Sequence, residues 1–371
     1  MTKIMIKRCE TYNQKELDKA IEDIFKKLGG VKKYIKKGDK VLLKPNLLMP
    51  GKPEHARTTH PNVVLAVAKV VRKAGGKVIV GDSPGIKMAR YVAKSNGLLD
   101  ICKKNKLEFT SFEKAIDTKH LEGKFIKTFP HAEEVTKADV IINLPKVKTH
   151  GLTSMTCAVK NNFGCVVGLR KGQYHVKFPG RHEFSTMLLD LYNCVKPDLT
   201  IIDGILGMEG KGGPGHGIPV ELGFLMAGTD CIAMDIELCN VLGIDPYKVP
   251  TNAIAKEKGY IYDKKTEVIG DKITLKKRFD FHETKRKLTE DSPNAFIKWM
   301  NNRLTARPII KDNCIGCADC EKICPAKAIT MVEKRSHIDR DKCIKCYCCH
   351  EICRYAAIEL KKPLLGKILK L

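Results

Sequence analysis

Val41-Leu42-Leu43 is a short uninterrupted apolar run that stops at Lys44-Pro45-Asn46, and it reads as a buried strand. Val63, Val64, Val67, Val70 and Val71 then recur near helical spacing. That pattern predicts a helix from about Pro61 to Ala74, with proline in its first turn and Gly75-Gly76 at its end. Lys77-Val78-Ile79-Val80 is the next predicted strand, and Gly81-Asp82-Ser83-Pro84-Gly85 is the turn after it. Val140 to Asn143 and Leu199 to Asp203 are two further buried strands. Strands alternating with helices up to about residue 260 predict an α/β fold, a mostly parallel sheet with helices on both faces. Ligands of such sheets gather at the carboxyl ends of the strands.

The pattern weakens after residue 270. Residues 271–310 read as a charged connector with one predicted helix, Ala295 to Leu304, which carries Trp299. Residues 311–360 read as a separate cysteine-rich unit, and 361–371 as a short basic tail. The large unit, residues 1–270, has enough chain for a core of its own and is expected to fold independently of the small one.

Composition narrows the classes. The chain has 371 residues, 43% apolar and 29% charged, which fits globular domains and excludes a disordered or fibrous chain. No apolar run reaches the roughly 18 residues of a membrane helix, and the first ten residues are too polar for a signal peptide, so a cytoplasmic protein without a membrane contact is expected. The net charge of +25 comes mostly from lysine. It favours acidic proteins, anionic metabolites or RNA as partners without choosing among them.

Nine of the 16 cysteines fall between Cys314 and Cys353. Cys314-x2-Cys317-x2-Cys320-x3-Cys324-Pro325 is followed 29 residues later by Cys343-x2-Cys346-x2-Cys349-x3-Cys353, and the same offset carries Ala328-Ile329 onto Ala357-Ile358. The unit is therefore an internal duplication. Soft thiolates at this spacing suit iron-sulfur chemistry, with a zinc site as the weaker alternative. The unit resembles a bacterial two-cluster ferredoxin over its whole length. The resemblance implies a small α+β domain with two [4Fe-4S] clusters, in which three cysteines of one run share a cluster with the fourth of the other. Carried over, Cys314, Cys317, Cys320 and Cys353 hold one cluster, and Cys343, Cys346, Cys349 and Cys324 hold the second. Two departures stand out: Arg354-Tyr355 follows Cys353 where the motif has proline, and Cys348 is surplus. The remaining seven cysteines show no metal spacing; most read as small buried apolar residues, with a redox or ligand role as the alternative for Cys157 and Cys165 in the polar stretch.

Polar density gathers in three segments of the large unit. Lys44, Asn46, Thr59 and His60 lead into a helix N-terminus that favours an anion and read as ligand-binding, with a plain helix cap as the alternative for Thr59; Asp82 and Ser83 sit in the turn after a strand; and Lys148, His150, Lys160, Asn161 and His175 fall within 28 residues. Cations beside histidines suit an anionic ligand and acid or base chemistry. His150 is the candidate acid or base, kept neutral by Lys148 and Lys160, with Lys160 beside it as the second catalytic candidate. A fourth segment, Gly204 to Gly217, has seven glycines in fourteen residues around Glu209 and reads as a mobile lid or a close backbone approach to a ligand. Further on, Asp230 reads as a helix cap.

The order Lys-Pro-Asn, Thr-His-Pro, Gly-Asp-Ser-Pro-Gly, Lys-x-Lys-Thr-His, Lys-Asn-x-x-Gly and Gly-Thr-Asp-x-x-Ala-x-Asp resembles the domain of unknown function family numbered 362 over roughly residues 39–260. Members of that family are often fused to a ferredoxin unit, and the resemblance implies no settled substrate. The expected function is that of an iron-sulfur redox protein passing electrons between its clusters and an anionic small molecule held by the large unit. A delivery protein docking an acidic redox partner is the alternative. RNA binding ranks last, because RNA-binding motifs are missing and aromatic residues are few.

Overall fold

Leu42, Ile141 and Ile202 pack into one apolar cluster, whereas their strand neighbours Val41, Leu43, Val140, Ile142 and Ile201 pack into another. Successive side chains of a strand point to opposite faces, so an unbroken apolar run is what a sheet buried on both faces requires. The computed structural model describes residues 2–85, 88–260, 266–283, 305–361 and 363. The predicted helix at Ala295 to Leu304 and most of the basic tail lie outside the described residues.

The chain supplies β1 (Lys3–Arg8), β2 (Lys40–Pro45), β3 (Lys77–Asp82), β4 (Glu108–Ser111), a separate hairpin of β5 (Ala115–Lys119) and β6 (Thr128–Ala132), then β7 (Val140–Leu144). It continues with β8 (Lys146–His150), β9 (Ser154–Thr156), β10 (Leu199–Glu209), β11 (Ile218–Gly228) and β12 (Glu267–Gly270). The main sheet runs β12-β1-β11-β10-β7-β2-β3-β4, with β8 paired to β10 and β9 to β8. The block β10-β7-β2-β3-β4 is parallel throughout, and β11 runs antiparallel between β10 and β1.

Helices Gln14–Lys27 and Pro61–Lys73 bury their apolar stripes against one face. Arg181–Val195, Cys231–Val241 and Pro250–Glu257 cover the other. Asp230 caps its helix as expected, its carboxylate accepting from the N–H groups of Ile232 and Ala233. At the start of the Pro61 helix the cap is His60, whose Nδ1 accepts from the Asn62 N–H (3.1 Å). Thr59 is used otherwise: its hydroxyl donates to the Leu144 carbonyl (2.6 Å) and accepts from the Asn46 N–H (2.8 Å), joining β2 to β7.

The glycine-rich segment is not a lid. Gly204 to Glu209 continue β10 into an antiparallel hairpin with β11, and the glycines admit neighbouring side chains. A Cβ on Gly204 would lie 2.7 Å from the Phe224 ring, and one on Gly207 would lie 2.6 Å from Leu222. The turn beyond is wedged between units. A Cβ on Gly213 would meet Thr149 Oγ1 at 2.2 Å, and one on Gly215 would meet the Glu351 carbonyl at 2.3 Å.

The small unit has β13 (Arg307–Ile310) paired with β16 (Ile358–Lys361), β14 (Ile329–Val332) paired with β15 (Arg335–Ile338), and short helices Asp319–Ile323 and Cys348–Ile352. It rests on the carboxyl ends of the large unit's strands. Tyr347 belongs to the apolar cluster of the large unit, and Leu360 packs against that cluster. Ile323 and Pro325 come close to Gly85 and Gly172. The expected independence of the two units therefore meets a shared apolar interface.

Candidate functional site

Two ion pairs fix the strand ends. Lys44 at the end of β2 pairs with Asp82 at the end of β3 (2.9 Å), both side chains buried, and Asp82 Oδ2 also accepts from the Leu47 N–H (2.7 Å). Gly164 closes over this pair, since a Cβ there would stand 2.1 Å from Asp82 Oδ1 and 2.7 Å from Lys44 Nζ. Lys146 pairs with Asp203 (2.9 Å), which accepts also from the Tyr12 hydroxyl (2.8 Å) and the His60 N–H (2.9 Å). Tyr12 stacks on His60 with ring centroids 3.7 Å apart.

Between them runs a ladder of amides. Asn161 donates to Asn143 Oδ1 (2.7 Å), Asn46 donates to Asn161 Oδ1 (3.0 Å), and Lys148 donates to Asn46 Oδ1 (2.5 Å) and to the Arg57 carbonyl (2.7 Å). Lys148 thus has hydrogen bonds but no carboxylate partner among the described residues, and burial, reinforced by Lys160 and Lys146, pulls its pKa down to about 7. Ser83 accepts from the Gly168 N–H (2.7 Å) and from Lys171 Nζ (3.0 Å). Burial likewise brings Lys171 down to about 7. The sequence reading missed Lys171, because a lysine between Arg170 and Gly172 looks like a solvated one.

His150 faces the small unit. Its Nδ1 accepts from the N–H groups of Leu152 (3.0 Å) and Thr153 (3.2 Å), which places the proton of the neutral ring on Nε2. Nε2 lies 3.0 Å from Glu351 Oε1, a carboxylate of the small unit. Burial drives His150 down to about 4 despite Glu351, with Lys160 and Lys148 adding to the effect. Burial opposes the charge of Glu351, but His150 and Lys160 hold it down to about 2. A neutral imidazole thus faces an ionised carboxylate at 3.0 Å. Burial is thus the main cause of the neutrality that the sequence reading assigned to the lysines.

Lys160 has no hydrogen-bond or ion-pair partner among the described residues; its ammonium stands 5.7 Å from the centre of the Phe163 ring. Glu351 and Cys348 favour its charge against the burial that lowers it. His175 is buried beside Phe184, ring centroids 4.4 Å apart, and burial lowers it to about 3.

The structure therefore gathers Lys44, Asn46, Asp82, Ser83, Lys148, Asn161, His150, Lys160 and His175 into one polar layer beneath the small unit, buried except for the part-exposed Asn46 and Lys160. His60 sits with Tyr12, Lys146 and Asp203 and acts through its backbone and as a helix cap. Glu209 lies apart: it accepts from Lys277 and from the Asp280 N–H (2.9 Å), tying residues 277–280 to the hairpin. The layer is also less cationic than the sequence suggests, because Asp82, Asp203 and Glu351 offset Lys44, Lys146 and Lys160. Glu351 was missed because its sequence neighbours are the cysteines of the other unit.

Five histidines are held neutral by burial, His60, His131, His150 and His216 at about 4 and His175 at about 3. The unfolded chain protonates them near 6.5, so between about pH 6.5 and 4 unfolding takes up protons. Their stabilising contribution is complete above that window and is lost as pH falls through it. Asp235, raised by burial to about 7, acts with the opposite sign. The urea midpoint is expected to fall from pH 7 to pH 5, and His175→Phe is expected to flatten that slope.

In the small unit Cys324 of the first run stands with cysteines of the second. Cys324, Cys343, Cys346, Cys348 and Cys349 line one cavity, with Ile329 and Ile338 among its apolar walls. Cys314 and Cys320 converge on Ser336 Oγ (3.8 and 3.0 Å), and Cys320 packs with Cys353. The fourth cysteine of each run accepts a backbone N–H, Ala328 to Cys324 (3.2 Å) and Ala357 to Cys353 (3.3 Å), repeating the 29-residue offset in three dimensions. Cysteine sulfurs around a cavity with an apolar wall fit an iron-sulfur cluster, which takes four of these five.

These features define an iron-sulfur electron-transfer protein with an α/β domain capped by a ferredoxin unit. The chain belongs to the family described as Domain of unknown function (DUF362), whose model matches residues 41–240, and its residues 313–361 match the 4Fe-4S dicluster domain. A thylakoid-associated protein of Synechocystis sp. is 38% identical over 263 residues, covering 69% of this chain and 79% of that protein. Among solved structures, the lactate racemase apoprotein from Thermoanaerobacterium thermosaccharolyticum is 10% identical with a TM-score of 0.40, covering 65% of this chain and 57% of that one. A protein from Thermotoga maritima is 12% identical with a TM-score of 0.38, covering 60% and 56%. The match spans less than two thirds of either of these two chains. Among the described residues, no helix is long and apolar enough to cross a membrane.

Proposed function

We propose that this protein passes electrons between two [4Fe-4S] clusters and an anionic substrate or cofactor at the strand ends of the α/β domain. The clusters supply one-electron chemistry, and Cys314, Cys317, Cys320 and Cys353 hold one while Cys343, Cys346, Cys349 and Cys324 hold the other. The observation that carries the reading is the contact between His150 and Glu351. Glu351 follows Cys349 by two residues, so the loop that binds a cluster is also the roof of the polar layer.

Each residue then has a task. Lys160, the cation without a partner in that layer, attracts the ligand's anionic group. His150 keeps a proton on Nε2 at the layer's edge, where it can be donated. Lys44, Asp82 and the asparagine ladder hold the strand ends rigid. The expected ligand bears a carboxylate or a phosphate.

Anaerobically reduced protein mixed with a panel of carboxylates and phosphate esters tests this reading. One class of compound is expected to reoxidise the clusters, and Lys160→Gln to slow that reoxidation at least about tenfold with iron content unchanged, the loss of one charge-assisted contact. A panel without any active compound, or a Lys160→Gln protein as fast as the wild type, would remove the site from the proposal.

A further inference from the structure

The two halves of the duplicated cysteine unit have unequal surroundings. In the second half, Tyr347 is 6% exposed within the large unit's apolar cluster, and its hydroxyl donates to the Ala306 carbonyl (3.0 Å). The position 29 residues earlier is Ala318, which has no ring with which to anchor its loop. Ile315 of that first loop is 57% exposed, whereas its counterpart Ile344 is half-buried. The second cysteine loop is thus turned to the large unit and the first to solvent.

A second element frames the exposed loop. A Cβ on Gly316 would stand 2.1 Å from the Lys334 carbonyl, so the turn of the β14–β15 hairpin abuts it, bringing in Val332, which is 50% exposed. Arg335 reaches back to Asp312 (2.8 Å). The exposed charges of the loop and the turn, residues 311–316 and 332–335, are three bases, Lys311, Lys334 and Arg335, and two acids, Asp312 and Glu333.

We propose that the Cys314–Cys317 loop, with the turn at Glu333–Arg335, is the docking face for a small acidic one-electron carrier protein. The proposal rests on the electron-transfer reading above. Two exposed apolar side chains beside basic ones suit a small, transient redox encounter, and the chain's net charge of +25 steers an acidic partner towards it. On docking, the reduced carrier loses one electron and the cluster held by Cys314, Cys317, Cys320 and Cys353 gains it; no bond forms and no proton moves.

The test uses the anaerobic full-length holoprotein and a small acidic [2Fe-2S] ferredoxin as probe. Lys334→Glu is expected to weaken probe binding at least about tenfold at low salt and to reduce its salt dependence. Ile315→Asp is expected to weaken binding similarly, while Lys342→Glu in the second half leaves it unchanged. Reduction by dithionite, which needs no docking face, is expected to keep its rate in Lys334→Glu. Binding of the probe to Lys334→Glu as tightly as to wild type would overturn the proposal. So would an equal loss in Lys342→Glu, or displacement of the probe by polyuridylate at lower concentration than by a second acidic protein. None of these readings involves a ligand of the large unit, so they succeed or fail separately from the site at His150 and Lys160.

Discussion

Alanine in place of Asp82 is expected to destabilise the protein by about 3–5 kcal/mol, the usual cost of leaving one member of a buried ion pair without its partner. Lys44 is fully buried, and Gly164 packs so close that a Cβ there would stand 2.7 Å from its ammonium. The loss also frees the Leu47 N–H, which Asp82 Oδ2 accepts. Urea denaturation of both proteins at pH 7 measures the difference. The double variant Lys44→Met, Asp82→Leu is expected to recover part of it, because an apolar pair avoids the desolvation of two charges. A loss below about 1 kcal/mol in Asp82→Ala would mean that the pair is solvated and that the strand ends are open.

Serine in place of Cys324 is expected to lower iron from close to eight per chain to about four, since this sulfur shares a cavity with Cys343, Cys346 and Cys349. Cys348→Ser is expected to keep the full count. Cys348 also borders that cavity, but it follows Cys346 by two residues in a run whose ligand spacing Cys349 completes. Iron and acid-labile sulfide, measured on protein purified without oxygen, decide both. An unchanged count in Cys324→Ser, or a halved one in Cys348→Ser, would show that Cys348 is a ligand of the second cluster.

The electrostatics of the polar layer were legible in the sequence only by residue type. Lysines and histidines at the ends of β2 and β8 were recognisable as candidates, because a parallel sheet presents those positions together. Which of them hold charge was not. Lys44 has a carboxylate, Lys148 has an amide and a carbonyl, and Lys160 has neither, although all three read alike along the chain. Glu209 and His60 read as well as any of the others, yet they anchor a hairpin and start a helix.

What the sequence determined by itself is what short-range physics sets. Apolar runs bounded by glycine and proline specified the parallel strands and the helix after β2, and thiolates at repeated spacing specified the iron-sulfur unit and its duplication. Only the tertiary structure decided that the small unit lies over the strand ends, that Glu351 completes the layer around His150, and that the glycine-rich segment is a hairpin wedged between units. These depend on contacts between residues far apart in the chain, 201 positions for His150 with Glu351. Burial and partner choice at that range follow from how whole surfaces pack, and no local pattern of residues encodes them.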